Sequence, residues 1–280
     1  MNTLIADSGA SKTDWVLLGE EQPQFIQTEG LNPNLVSATE FMNVLSKELK
    51  PNLSGKAVGR IYFYGSGCGS SQKKTEVERY IKEVFEFAKV KVGTDLDAAG
   101  LALFGKKEGI VCILGTGSSA GFFKDGKVVK QMPSVGYPDG DEGGGSDIGK
   151  RILKLYLSGN LHKDLKSFLD KKIETDTGKL HLMFEKTKEG KLFASRVCKV
   201  MGTKSHYPQV QQILYNGFES FLKKVNATFP EEIKKCELGF AGSVASVYEA
   251  ELRACARQME FEISSVVRSP IEHIALYYSK

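Results

Sequence analysis

The sequence is poor in cysteine, histidine and tryptophan, with five, four and one in 280 residues. Cys68, Cys112, Cys198, Cys236 and Cys255 form no C-x-x-C pair, and an odd, dispersed set is not a disulfide framework. His162, His181, His206 and His273 stand at no metal-ligand spacing from one another or from a cysteine, which argues against a zinc or iron–sulfur site. No apolar run approaches the roughly 18 residues of a membrane span. The chain passes from Met1 into Thr3-Leu4-Ile5-Ala6 without a basic region, so no signal peptide is expected. A cytoplasmic, reducing setting fits these features, and no membrane partner is expected. An excess of one charge is also lacking: 38 basic and 34 acidic side chains leave +4. The lysine doublets are scattered among acids and read as solvated surface. No basic stripe is interleaved with aromatics, so a nucleic-acid partner is not expected.

Glycine is abundant, at 29 residues, and much of it is clustered. Five loops share one design, a strand end followed by Gly with Ser, Thr or Asp. They are Asp7–Thr13, Gly65-Ser66-Gly67, Gly115–Ser119, Gly140–Gly145 and Gly242-Ser243. Glycine lets backbone N–H groups converge on an anion, and hydroxyls add donors. One such loop is ordinarily a surface turn; five together point to a phosphate-bearing ligand. Two common nucleotide sites are excluded. There is no G-x-x-x-x-G-K-[ST]. Gly115-x-Gly117-x-x-Ala120 has dinucleotide-fingerprint letters, but a strand pattern, Gly121-Phe122-Phe123, follows where that fingerprint needs a helix.

The pattern of elements is α/β. Apolar runs at 3–6 and 14–18 flank a small polar turn, and a third strand is expected near 25–28. The Ser37-x-x-Glu40 capping box opens a helix expected to end before Pro51. Strands follow at 60–64 and 90–92, with a helix between them over 76–89. Asp97 opens a small-residue helix over 98–104, where the ordinary reading is a helix N-cap. Strand, small polar turn, strand and hairpin then recur at 110–131, with Asp125-Gly126 as the hairpin turn. Residues 147 to about 226 read largely as helices. A buried strand at 236–240, a helix to about 259, a strand near 261–267 and a last helix opened by Ser269-Pro270 complete the chain.

A phosphate cradle built from a hairpin turn and used twice resembles the actin, heat-shock ATPase and sugar-kinase superfamily. Within it, the sequence resembles the N-acetylglucosamine kinase branch grouped with the BadF-type ATPases. Asp7-x-Gly9-x-Ser11-Lys12-Thr13 is similar to the first phosphate motif, Gly115-Thr116-Gly117-Ser118 to the second and Phe240-Ala241-Gly242-Ser243-Val244 to the adenosine motif. Thr94–Gly100 resembles the base-bearing D-A-A-G segment, Gly140-Asp141-Glu142-Gly143 the G-D-E-G segment, and Gly30–Asn34 the sugar-binding segment.

The resemblance implies two ribonuclease H-like domains about a central cleft. One would span 1–107 with a C-terminal helix at about 268–280 packing back on it, and the other 108–267. It implies ATP-dependent phosphorylation of an amino-sugar hydroxyl. Asp97 would be the catalytic base, and Asp7 would hold Mg²⁺ through water. Gly9, Ser11, Lys12, Thr13, Thr116, Gly117, Gly242 and Ser243 would bind the nucleotide. Asn34, Asp97, Ser118, Ser119, Gly136 and Asp141 would contact the sugar. The branch often carries Asn where this chain has Ser119, and Trp-Gly where it has Val135–Asp139, so the sugar stays open, as does a homodimer. Two other readings stay open: a BadF-type activator of a dehydratase or reductase, and a non-catalytic nucleotide or sugar sensor.

Overall fold

The computed structural model describes residues 2–19, 21–173, 180 and 187–279. The chain divides into two compact units, Met1–Lys106 with Ser269–Lys280, and Lys107–Arg268.

The first unit is built on one five-stranded sheet. Its strands are β1 (Asn2–Ser8), β2 (Lys12–Leu18), β3 (Gln24–Glu29), β4 (Val58–Gly65) and β5 (Lys89–Thr94), in the order β3-β2-β1-β4-β5. The first three form an antiparallel meander, and β4 and β5 run parallel to β1. Alternation along β1 sends Leu4 and Ala6 to one face and Ile5 and Asp7 to the other. On the first face, Trp15, Phe41, Phe63 and Tyr80 pack with ring centroids 5.4–6.0 Å apart. The buried indole of Trp15 donates to Thr28 Oγ1 at 3.0 Å, so its polar atom is satisfied.

That face is covered by helix α1 and by α2 (Ser71–Val84). Helix α1 spans 38–52. It is α-helical over Ala38–Asn43, π-helical over Val44–Leu49 and α-helical again over Lys50–Asn52. The capping box at Ser37 and Glu40 forms as expected. The helix does not stop before Pro51. Lys50 N–H closes the π stretch on the Leu45 carbonyl, so Pro51 falls in the opening turn of a new α segment, where no donor is required. The opposite sheet face carries α3 (Asp95–Phe104) and the C-terminal helix α10 (Ile271–Tyr278).

The second unit repeats the plan. Its strands are β6 (Gly109–Leu114), β7 (Ser118–Lys124), β8 (Lys127–Gln131), β9 (Glu237–Ala241) and β10 (Ile263–Val267), in the order β10-β9-β6-β7-β8. Again three strands form an antiparallel meander and two are added in parallel. Read from its other edge, this sheet has the topology of the first. The repeat legible in the sequence therefore extends to the whole sheet.

The helices of this unit are α4 (Gly145–Leu157), α5 (Lys163–Asp170), α6 (Lys188–Met201), α7 (Pro208–Thr228), α8 (Ser243–Val247) and α9 (Glu249–Gln258). Helix α7 buries Leu214, Phe218, Phe221 and Val225 in one core with Phe240 and Ile110 of the sheet. Helices α4 and α6 cross closely at Gly149, where a Cβ would lie 1.8 Å from the Ala194 carbonyl oxygen.

Candidate functional site

The β1–β2 turn closes with Gly9 N–H donating to the Lys12 carbonyl at 2.9 Å. Beneath it the hydroxyls of Ser8 and Thr13, both fully buried, meet at 2.8 Å, and Leu31 N–H donates to Ser8 Oγ at 3.2 Å. The hydroxyl of Thr13, a residue expected among the phosphate contacts, faces inward and braces the turn. Ser11 and Lys12 are exposed on the turn. Gly30 lies against it, where a Cβ would stand 2.5 Å from the Ala10 carbonyl oxygen.

Four carboxylates gather at the ends of β1, β2 and β5. Asp7 and Asp14 are cross-strand partners on the face that carries α3. Asp14 is tied by Lys12 at 2.5 Å, Gln27 at 2.7 Å and Ser269 at 3.4 Å. Burial first, then repulsion from Asp95 and Asp14, pushes the Asp7 carboxyl up to about 7, with Lys12 opposing. Burial also raises Asp95 to about 6, against backbone hydrogen bonds that favour its charged form, with Asp97 adding repulsion. Asp95 was missed as a candidate. The D-x-D spacing Asp95-Leu96-Asp97 carries the signal, because both residues fall in the first turn of α3.

Asp97 is not the N-cap of α3. The cap is Thr94, and Asp97 is the N3 partner of a capping box: Thr94 N–H donates to Asp97 Oδ2 at 2.9 Å, and Asp97 N–H to Thr94 Oγ1 at 3.1 Å. A carboxylate in a first helical turn is held in place by this exchange. Asp97 is 9% exposed. Gly93 makes room for it: a Cβ there would lie 2.7 Å from the Tyr64 ring and 3.3 Å from Asp97 Oδ2.

The Gly30–Asn34 segment meets the loop after β4. Asn32 Nδ2 donates to Ser66 Oγ at 3.1 Å, and Asn34 N–H donates to Asn32 Oδ1 at 2.9 Å. Gly67, at φ +84°, lies beneath both amides, and a Cβ on it would be 3.0 Å from Asn34 Nδ2. Asn34 is exposed there.

In the second unit the β6–β7 turn closes with Gly115 N–H on the Gly117 carbonyl at 3.0 Å. The start of α4 docks on it, with Gly145 and Ser146 N–H groups donating to the Gly115 and Thr116 carbonyls at 2.8 and 2.9 Å. Ser146 Oγ is buried and makes no hydrogen bond among the described residues. Asp141, left-handed at φ +62°, lies over the turn: its Oδ1 accepts from Ser118 N–H at 3.3 Å and sits 2.7 Å from where a Gly117 Cβ would be. Its buried Oδ2 lacks a hydrogen bond but is 2.7 Å from Lys191 Nζ. Ser119 Oγ accepts from Gln131 at 3.4 Å, and Gly136, at φ +69°, accepts from Gly140 N–H at 2.6 Å. Gly242, at φ +113°, comes so close to this turn that a Cβ would lie 2.4 Å from the Leu114 carbonyl oxygen. Ser243 follows, exposed, as the first residue of α8.

The structure therefore forms two local sites, one in each unit. Asp7, Gly9, Ser11, Lys12 and Asp97, with Asp95, gather at one end of the first sheet. Asn34 stands at the neighbouring loop. Thr116, Gly117, Ser118 and Asp141 form one cluster in the second unit, with Gly242 beside it. Among the described residues no group of three or more His, Cys, Asp or Glu is placed to hold a metal. His181 lies outside them. No helix among the described residues is long and apolar enough to cross a membrane.

Two units of this topology, each with a glycine turn between its first two strands, define the fold of the actin-like ATPases and sugar kinases. The sequence matches no protein-family model, and no curated protein matches it. Among solved structures, the putative N-acetylglucosamine kinase of Porphyromonas gingivalis is similar over 99% of this chain and 98% of its own, at 29% identity and a TM-score of 0.90. A putative N-acetylglucosamine kinase from Chromobacterium violaceum, at 17% identity, 99% and 98% coverage and a TM-score of 0.75, shares the fold. So does a ROK-family glucokinase from Streptomyces griseus, solved with glucose and AMPPNP, at 13% identity, 100% and 98% coverage and a TM-score of 0.64. The N-acetylglucosamine kinase-like resemblance read from the sequence thus holds in three dimensions.

Proposed function

We propose that this chain is an ATP-dependent kinase that phosphorylates an amino-sugar hydroxyl, with the 6-hydroxyl of N-acetylglucosamine as the first candidate. One observation carries the reading: the strand–turn–strand cradle occurs at the same place in two sheets of identical topology, and Asp97 stands in the first turn of the helix that follows β5 of the first. The similarity to the Porphyromonas protein supports the choice of an amino sugar.

Phosphoryl transfer needs positioning and charge compensation more than covalent chemistry. ATP, when bound, supplies the γ-phosphoryl group. Gly9, Ser11 and Lys12 on one turn and Thr116 and Gly117 on the other would offer N–H, hydroxyl and ammonium donors to its phosphates. Gly242 and Ser243 would take the adenosine end. Asp7 fits a hydrated Mg²⁺, an ion that keeps several waters and uses one or two carboxylates. The crowding by Asp95 and Asp14 that hinders its ionisation is of the kind a cation relieves. Asp97 would accept the proton of the attacking hydroxyl, its carboxylate oriented through Thr94 N–H. Asn34, Ser118, Ser119, Gly136 and Asp141 would orient the sugar.

The activator reading requires cysteines that can reach a cluster, whereas Cys68, Cys112, Cys198 and Cys255 are buried within their units. The test is an ATP-consumption screen over N-acetylglucosamine, N-acetylmannosamine, muramic acid, glucosamine and glucose, with mass spectrometry of the product. A sugar-dependent gain of one phosphoryl group is expected. No consumption with any of these sugars, or a cluster spectrum after anaerobic purification, would sink the kinase reading.

A further inference from the structure

Helices α4 and α7 and the 139–142 loop line an open cavity of about 710 Å³ within the second unit. That volume lies in the range of small-molecule pockets, roughly 300–1,000 Å³. Its walls are two helical stripes. Asp147, Lys150, Arg151 and Lys154 stand at i, i+3, i+4 and i+7 of α4; Gln209, Gln212, Asn216, Ser220 and Lys224 stand along one face of α7. Such stripes are ordinarily solvated surface. Here they face each other across a concavity, and their hydrogen-bonding capacity is unevenly used.

The lining holds four cations and three anions, with Asp139 and Glu142 joining Asp147. Two of the anions are already engaged. Asp147, 5% exposed, accepts from Gly143 N–H and takes Arg151 Nε at 3.0 Å on each oxygen; Glu142 is paired with Lys224. The unused groups are mainly donors. The terminal guanidinium nitrogens of Arg151 make no hydrogen bond among the described residues, and Lys154 has no partner there. A guanidinium clamped through Nε by a buried carboxylate presents its other N–H groups as a fork suited to a phosphate or carboxylate. Gln212, Asn216 and Ser220 add polar atoms for hydroxyls.

We propose that this cavity binds a hydroxylated phosphate monoester of about hexose size, with Arg151 and Lys154 holding the phosphate. The choice of a hexose phosphate rests on the kinase reading; the anion site does not. Occupancy acts on the proposed catalytic unit through the 139–142 loop. On one side of this loop Glu142, held by Lys224, lines the cavity; on the other its neighbour Asp141 lies over Gly117. Lys150 ties the same loop through the Pro138 carbonyl.

Calorimetry on the whole protein without ATP tests this, with N-acetylglucosamine 6-phosphate, glucose 6-phosphate, unphosphorylated N-acetylglucosamine and inorganic phosphate as probes. The sugar phosphates are expected to bind in the presence of saturating free sugar. Lys154→Gln, a change at an exposed and unpaired side chain, should weaken them about tenfold, the scale of one charged hydrogen bond. Asp139→Asn should tighten them by removing a like charge. In turnover, the sugar phosphate should inhibit without raising the sugar KM, and Lys154→Gln should relieve the inhibition with kcat unchanged. Binding unaffected by Lys154→Gln, or abolished by free sugar, would overturn the site; so would inorganic phosphate binding as tightly as the esters, an adventitious ion only. Binding that persists in a protein without kinase activity would uphold the anion site and sink the kinase reading alone.

Discussion

The hydroxyls of Tyr64, at the end of β4, and Tyr278, in the last turn of α10, meet at 2.5 Å across 214 residues of chain. The Tyr278 ring also stacks on Tyr62, with centroids 4.3 Å apart. The tail of the chain is thus pinned to the sheet face that carries Asp7 and Asp97. Burial, then this hydrogen bond, raises the Tyr64 phenol far above its ordinary range, so it stays neutral and can donate.

Removing one of these hydroxyls strands the other. Tyr278→Phe, which leaves the buried Tyr64 hydroxyl without its partner, should destabilise the protein by about 1–3 kcal/mol, and Tyr64→Phe, which leaves the half-buried Tyr278 hydroxyl open to water, by less. The double variant should lose clearly less than the sum, because both partners leave together. Urea unfolding of the four proteins checks this; strict additivity would show that the pair does not interact.

Asp97→Asn keeps an oxygen able to accept from Thr94 N–H but removes the charge. Phosphoryl transfer should fall by several orders of magnitude while calorimetric binding of ATP and sugar persists. Stability should drop by only about 0.3–1 kcal/mol, the lost helix-dipole contribution. Turnover near that of the unaltered protein would refute Asp97 as the base.

Asp7 and Asp95 make stability depend on pH. Their folded values, about 7 and about 6, lie above the ordinary carboxylate value of 3.8. The folded state therefore holds these protons more tightly than the unfolded chain. Their contribution is fully present below pH 3.8 and is lost as pH rises through about 6 and 7. Asp7→Asn should flatten the fall in melting temperature between pH 5 and pH 8 and raise the melting temperature at pH 8. Unchanged slopes in Asp7→Asn and Asp95→Asn would remove the effect from these residues.

Gly149→Ala would put a methyl carbon 1.8 Å from the Ala194 carbonyl oxygen, so α4 and α6 must separate. Overpacking of this kind costs about 1–3 kcal/mol or more. A fall in the urea midpoint is expected, with loss of binding at the Gly115–Ser118 turn on which α4 docks. Gly159→Ala, in open space but at φ +73°, gives a comparison in which only backbone strain acts.

Much of this protein is decided by its sequence alone. The paired apolar runs around Gly9–Ser11 and Gly115–Gly117, the capping box at Ser37 and the Asp125-Gly126 hairpin are local signals, because turns and caps are set by residues within a few positions of one another. They were enough to reveal two similar halves and the residues around Asp97. Tertiary structure decided the rest. That Thr13 turns inward to Ser8, that Asp95 and Asp14 crowd Asp7, and that Tyr278 reaches Tyr64 all depend on strand register and on segments distant in sequence. Pro51 does not end its helix because a π-helical stretch shifts the hydrogen-bond ladder by one residue, and no residue type announces that shift. Asp97 was legible as a carboxylate at a helix start; its place as N3 rather than N-cap depended on where β5 ends, a matter settled by its pairing with β4.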